Sequence, residues 1–96
     1  MDEEWKGIPG YGGFYNVSNL GRVCSTRKGI IRIKKLYKTN DGYLKVKVGY
    51  GDLSKVVLVH RLVAALFIGE IQNKEVNHKD GNKENNNVHN LEVCTH

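Results

Sequence analysis

The spacing of apolar residues changes once along this chain, and that change limits the fold more than any other feature. From Tyr43 to Val48, Leu44, Val46 and Val48 alternate with Tyr43, Lys45 and Lys47, the pattern of a strand with one buried and one wetted face. Ser54 to Leu58 continues in β-branched style. At Val59 the period lengthens to about 3.6. In VHRLVAALFIG the residues Val59, Leu62, Val63, Leu66 and Phe67 fall on one helical face, Ala64 and Ala65 favour helix, and Gly69 suits its end. A single helix set among hairpins makes the chain α+β: a small antiparallel β-sheet module, one central helix, then a closing ββ unit.

The earlier residues support the β module. Phe14 to Val17 and Arg22 to Ser25 read as strands joined by Ser18, Asn19, Leu20 and Gly21, a connection of hairpin length. Before them Pro9, Gly10, Gly12 and Gly13 supply bends, and Trp5, Ile8, Tyr11, Tyr15 and Val17 are expected to form a small aromatic core. Ile30 to Tyr37 reads as one strand with Ile31 and Ile33 on a common face, followed by a turn at Thr39 to Gly42. Ninety-six residues suit one domain, or two small halves that lean on each other because neither buries enough alone. The division expected is 1–52 for the β module and 53–96 for the helix and the closing ββ unit.

Charge narrows the partner. The net charge is +5, and residues 5 to 40 hold eight basic side chains and no acidic one. A single-sign field of that length suits a phosphate backbone or an anionic surface; its bland alternative is a solvated face. No apolar run approaches the ~18 residues of a membrane span, and the acidic start Asp2, Glu3, Glu4 is no signal peptide. Against a solvated face, a nucleic-acid phosphate backbone is the expected partner, with Arg22, Arg27, Lys28, Arg32, Lys34, Lys35, Lys45 and Lys47 as candidate contacts. Cys24 and Cys94 stand alone and far apart, which excludes a disulfide framework or a four-thiolate zinc site. They are expected as small, partly buried residues in a cytoplasmic protein.

Residues 76 to 92, VNHKDGNKENNNVHNLE, carry the most chemistry. Glu75 to His78 should be a short strand, Asp80 to Asn87 a loop, and Leu91 to Thr95 the returning strand. A polar hairpin loop would look like this with no further purpose, and DGNKEN has a faint calcium-loop character but lacks the closing Glu and flanking helices. His60, at the start of the helix, reads as structural, needing either a specific partner or exposure to solvent, as does Arg61, because the helix dipole does not favour cations there.

The string W..IPGY.G.YNVSNLGRV resembles the small modular domain found beside the nuclease domain of phage and intron-encoded HNH endonucleases. VHRLVA and NHKDGNKENN...NLE resemble the lead-in and core of the HNH, or His-Me finger, nuclease itself. The resemblance implies a metal-dependent DNA endonuclease, encoded by a phage or prophage and working in the bacterial cytoplasm, and makes double-stranded DNA the expected partner. Its core would be the ββ part of a ββα-metal motif. By that resemblance His78 would be the general base, Asn90 the middle Asn that tethers the loop and helps hold His78, and Asn77 the first ligand of a divalent metal, Mg²⁺ or Mn²⁺. An amide oxygen brings no charge, so weak metal binding is expected. Relatives commonly carry Arg where this chain has Cys24, so one phosphate contact would be missing.

In the family, a helix after the last strand supplies a further metal-site His or Asn. Its place lies beyond His96, as in a gene fragment or a decayed prophage copy. His96 is the one substitute within reach. The missing helix would leave an apolar hairpin face to be covered by the Val59 to Phe67 helix or by self-association. The alternative function is thus a DNA-binding module without catalysis.

Overall fold

The computed structural model describes residues 2–95, so the expectation for His96 lies outside the described residues. The first sheet is antiparallel, in the order β1 (Trp5–Gly7), β2 (Tyr15–Ser18), β3 (Val23–Arg27) and β4 (Ile30–Ile33). A second sheet is built from β5 (Tyr37–Lys38), β6 (Leu44–Val48) and β7 (Lys55–Leu58). The helix α1 (Val59–Phe67) comes next, and β8 (Lys74–His78) then pairs with β9 (Leu91–Thr95).

The change of period falls where the sequence places it, since α1 begins on the residue after β7 ends. Its inner face buries Val59, His60, Val63 and Ala64, with Leu62, Leu66 and Phe67 packed at the edge. Arg61 donates from its guanidinium to the carbonyls of Lys74 (3.3 Å) and Ile71 (3.4 Å), so the partner expected for it is the segment entering β8.

One hydrophobic cluster runs through all three sheets: Tyr15, Val17 and Val23, then Val46 and Val48, then Val59 and Val63, then Val76 and Leu91. Each such side chain contributes roughly 1.5–3 kcal/mol on burial. The hairpin β8–β9 is covered by α1, which packs on both of its strands. That contact meets the expected need for a cover, and self-association through this hairpin gains no support.

Two expectations are corrected. The stretch from Ile30 to Tyr37 is not one strand: it ends at Ile33, and Lys34–Leu36 carry the chain from the edge of the first sheet to the second. Lys34 N still donates to Val23 O, at 2.7 Å, while Leu36 turns toward the core. The imperfect alternation of IIRIKKLY is the trace of that crossing. Ile31 and Ile33 are accordingly exposed, at 69% and 53%, because β4 is an edge strand with no layer beyond it. Trp5 also lies outside the core: β1, which the turn-rich segment conceals, pairs Trp5 with Ser18 and leaves its ring beneath the Arg22 guanidinium at 5.6 Å.

Candidate functional site

His78 is the last residue of β8, paired across the hairpin with Leu91. Strand pairing fixes its backbone, and neighbouring rings and an amide fix its side chain. The His60 ring lies 5.1 Å from it and the Tyr43 ring 6.0 Å, with Tyr43 stacked on His60 at 4.9 Å. Lys83 closes the outer face of Tyr43, its ammonium 4.7 Å from the ring, while donating to Asp41 O. On the other side His78 Nε2 meets Asn86 Oδ1 at 2.7 Å. A carboxamide oxygen only accepts, so the contact is a hydrogen bond in the tautomer with the proton on Nε2, which leaves Nδ1 with its lone pair; Nδ2 of the same Asn86 amide is buried without a hydrogen-bond partner.

Asn86 is therefore the amide that holds the imidazole, and the part expected of Asn90 is divided. Asn90 Oδ1 accepts from Asp80 N at 3.1 Å, and its Nδ2 donates to Asp80 Oδ1 and Asn85 O, both at 2.9 Å. Lys79 N also donates to Asn90 O. Asn90 thus tethers the loop just past His78, and its side-chain bonds go to Asp80 and Asn85 while the ring's bond goes to Asn86. The physical reason is register: Asn90 stands at the base of the loop opposite Lys79 and Asp80, whereas Asn86, with the loop folded back, is carried over the imidazole.

Asp80 is the hub of this loop. Its carboxylate accepts from Asn85 Nδ2, Asn90 Nδ2 and Asn82 N. The Asn85 bond foremost, then those from Asn82 and Asn90, stabilises the carboxylate and holds its pKa below the usual value. The Asn-rich run is a set of cross-braces within the loop.

His60 is 5% exposed, and its Nδ1 is buried without a hydrogen-bond partner. Burial foremost, then the neighbouring His78 and Arg61 charges, pushes its pKa down to about 4. At neutral pH it is an uncharged wall for the His78 ring. Its place in the first turn of α1 gave no signal of this, because the neighbour that gives it meaning is eighteen residues away.

The candidate DNA contacts fall into two groups. Arg27, Lys28 and Arg32 line a groove of about 440 Å³ with Ser25, Ile30 and Tyr50, and the Arg27 guanidinium stacks 4.2 Å from the Tyr50 ring. Lys34, Lys35, Lys45 and Lys47, joined by Lys38, line a second groove of about 580 Å³ with Tyr37 and Val56. Arg22 stands apart: its guanidinium is paired through two nitrogens with the Glu3 carboxylate. Cys24 is buried, so its position faces the interior, and burial pushes its thiol up.

Comparisons with known proteins place the two parts of the chain in turn. Residues 3–49 match the NUMOD4 motif and residues 57–96 match the HNH endonuclease model. The chain belongs to the HNH endonuclease family. It is 44% identical over 93 residues to the DNA endonuclease I-HmuI of Bacillus phage SP01, covering 96% of this chain and 52% of that protein. An SPbeta prophage-derived putative HNH homing endonuclease, YosQ of Bacillus subtilis (strain 168), is 44% identical over 78 residues, 73% of this chain and 45% of that one. An uncharacterized HNH endonuclease, L245 of Acanthamoeba polyphaga mimivirus, is 42% identical over 82 residues, 84% of this chain and 24% of that one. A solved structure of DNA binding and cleavage by I-HmuI superposes with a TM-score of 0.84, covering 96% of this chain and 52% of that one. The chain thus spans about half the length of I-HmuI.

HNH endonucleases use a divalent metal. Among the described residues no three His, Cys, Asp or Glu side chains converge as ligands. Asn77 is exposed, with its Nδ2 donating to Cys94 Sγ at 3.0 Å, which leaves one neutral oxygen. The Asp80 carboxylate is already engaged by three donors. Mg²⁺ is ordinarily held by one or two carboxylates together with waters and substrate phosphates, so one neutral amide oxygen beside an engaged carboxylate does not by itself fit it.

Proposed function

We propose that this chain is the DNA-gripping module and base-bearing hairpin of an endonuclease that hydrolyses phosphodiester bonds in double-stranded DNA. The observation that carries the reading is the bond from His78 Nε2 to Asn86 Oδ1, because it leaves Nδ1 as the basic nitrogen.

In this reading Nδ1 takes a proton from water as the water oxygen bonds to phosphorus. The P–O3′ bond breaks, leaving a 3′-hydroxyl, protonated from solvent, and a 5′-phosphate. The imidazolium formed on His78 strengthens the Nε2–H bond to Asn86, since a charged donor makes a shorter and stronger bond than a neutral one. His60, uncharged at neutral pH, adds no like charge to oppose that cation. The two basic grooves hold the duplex by its phosphates, with Asn90 and Asp80 keeping the loop in shape. Mg²⁺ or Mn²⁺ is the proposed metal, with Asn77 as one weak ligand, and the protein is proposed to work in the cytoplasm of a phage-bearing bacterial host. The proposed division of labour places DNA contact in 1–52 and the nuclease hairpin in 53–96.

The test is nicking of duplex DNA with Mg²⁺ or Mn²⁺. His78→Ala is expected to lower the rate by about 10²–10⁴-fold with DNA affinity unchanged. A non-catalytic binding module would give the same DNA affinity and no cleavage with His78 present, so an equal background from both proteins would overturn the reading.

A further inference from the structure

The turn between β2 and β3 lies in the basic module, far in sequence from the loop that holds the imidazole, yet the two touch. Ser18 Oγ closes the turn by accepting from Leu20 N and Arg22 N. Asn19 ties it to the start of the chain, with Oδ1 accepting from Glu4 N and Nδ2 donating to Asp2 O. Its backbone oxygen then accepts from Val88 N, at 2.8 Å, two residues past Asn86.

Gly21 makes the closer approach. Its φ is +90°, and a Cβ added there would lie 2.8 Å from Asn86 Cβ and 3.1 Å from Asn86 O. Asn86 is 3% exposed, so it has little room to retreat. An ordinary Cβ contact is 3.4 Å or more, so any side chain at this position must push Asn86, and with it the oxygen that receives His78 Nε2–H.

We propose that Gly21 is a positioning residue for the nuclease reaction: the SNLG turn of the β module seats Asn86, and Asn86 sets the tautomer and direction of the His78 ring. The module expected to grip DNA thereby also completes the base. The consequence for activity rests on the reading of His78 as that base; the positioning itself does not.

The experiment compares Gly21→Ala with Gly10→Ala in the 96-residue chain. Gly10 has φ +93° and nothing within 4 Å of an added Cβ, so the two variants share backbone strain and differ in the push on Asn86. Folding is verified by circular dichroism, and the His78 ring is read by ¹⁵N chemical shifts and the exchange rate of Nε2–H at fixed pH. Wild type and Gly10→Ala are expected to show a single Nε2–H tautomer. Gly21→Ala is expected to show mixed tautomers and at least roughly tenfold faster Nε2–H exchange. Like behaviour in the two variants would overturn the positioning role.

Should Gly21→Ala fail to fold, Gly21→Asn replaces it, since Asn tolerates positive φ better than other residues bearing a Cβ; an unchanged ring there overturns the proposal in the same way, as does failure of Gly21→Asn to fold, which would make Gly21 a folding residue rather than a positioning one. In DNA cleavage, loss of kcat by roughly tenfold with KM unchanged is expected for Gly21→Ala, and little further loss when it is added to Asn86→Ala. A ring that responds to Gly21 while cleavage responds to neither Gly21→Ala nor His78→Ala keeps the positioning and removes His78 as base.

Discussion

The hairpins β3–β4 and β8–β9 are both short, antiparallel and polar at the tip, yet they are built on opposite terms. At the β3–β4 tip Arg27, Lys28, Gly29 and Ile30 are all exposed, and every residue of β4 faces solvent. In the β8–β9 loop Asp80, Asn82, Asn85, Asn86, Asn87 and Asn90 are all engaged through their side chains. The difference matches the tasks proposed for them. Attraction between a cation and a phosphate tolerates ångström-scale error, because the charge acts over a Debye length of about 8–10 Å. Proton transfer needs its nitrogen within hydrogen-bond reach of one water, so the base must be held.

The largest effect is expected at the basic hairpin. Replacing Arg27, Lys28 and Arg32 together by Ala is expected to weaken DNA binding by about two orders of magnitude at low salt and to flatten the slope of log affinity against log salt by roughly three. Titration of labelled duplex at several salt concentrations measures both. An unchanged slope would remove this hairpin from the interface.

On the other side, Asn86→Ala is expected to lower kcat by roughly 10- to 100-fold with DNA affinity kept. Asn90→Ala acts through the loop as a whole and is expected to cost about 1–3 kcal/mol of stability, seen in urea unfolding. Reversal of these two profiles would return the ring-holding part to Asn90.

The smallest effect concerns the wall behind His78. The pKa of His60 falls from 6.5 to about 4 on folding, so between those values the unfolded chain binds the extra proton. Stability is fully present above pH 6.5 and is lost as pH falls toward 4. The expected loss is about 1–2 kcal/mol, the shift being discounted for partial access of solvent. His60→Gln should remove this slope in thermal unfolding, and Asp80 does not share the window because its shift lies below 3.8. A slope that survives His60→Gln would assign it elsewhere.

Much of this molecule is legible in its residues, for reasons that are local. Alternation at Leu44, Val46 and Val48 depends on neighbours two apart, and the helix at Val59 on neighbours three and four apart. A resemblance in motif order was enough to single out His78. The single strand read across Ile30 to Tyr37 went wrong where a chain leaves one sheet for another, an event that no local period reports.

By itself, then, the sequence determined the α+β class, the β-to-α switch at Val59, the basic character of the first half and the family to which the hairpin belongs. Only the tertiary structure decided that Asn86 rather than Asn90 meets the imidazole, that His60 stands buried beside it, and that Gly21 presses on Asn86 from sixty-five positions away. Those contacts depend on how the closed loop, the helix and the first sheet meet around one shared core, and an approach so close that a single added carbon would lie 2.8 Å from Asn86 Cβ has no counterpart in any window of residues.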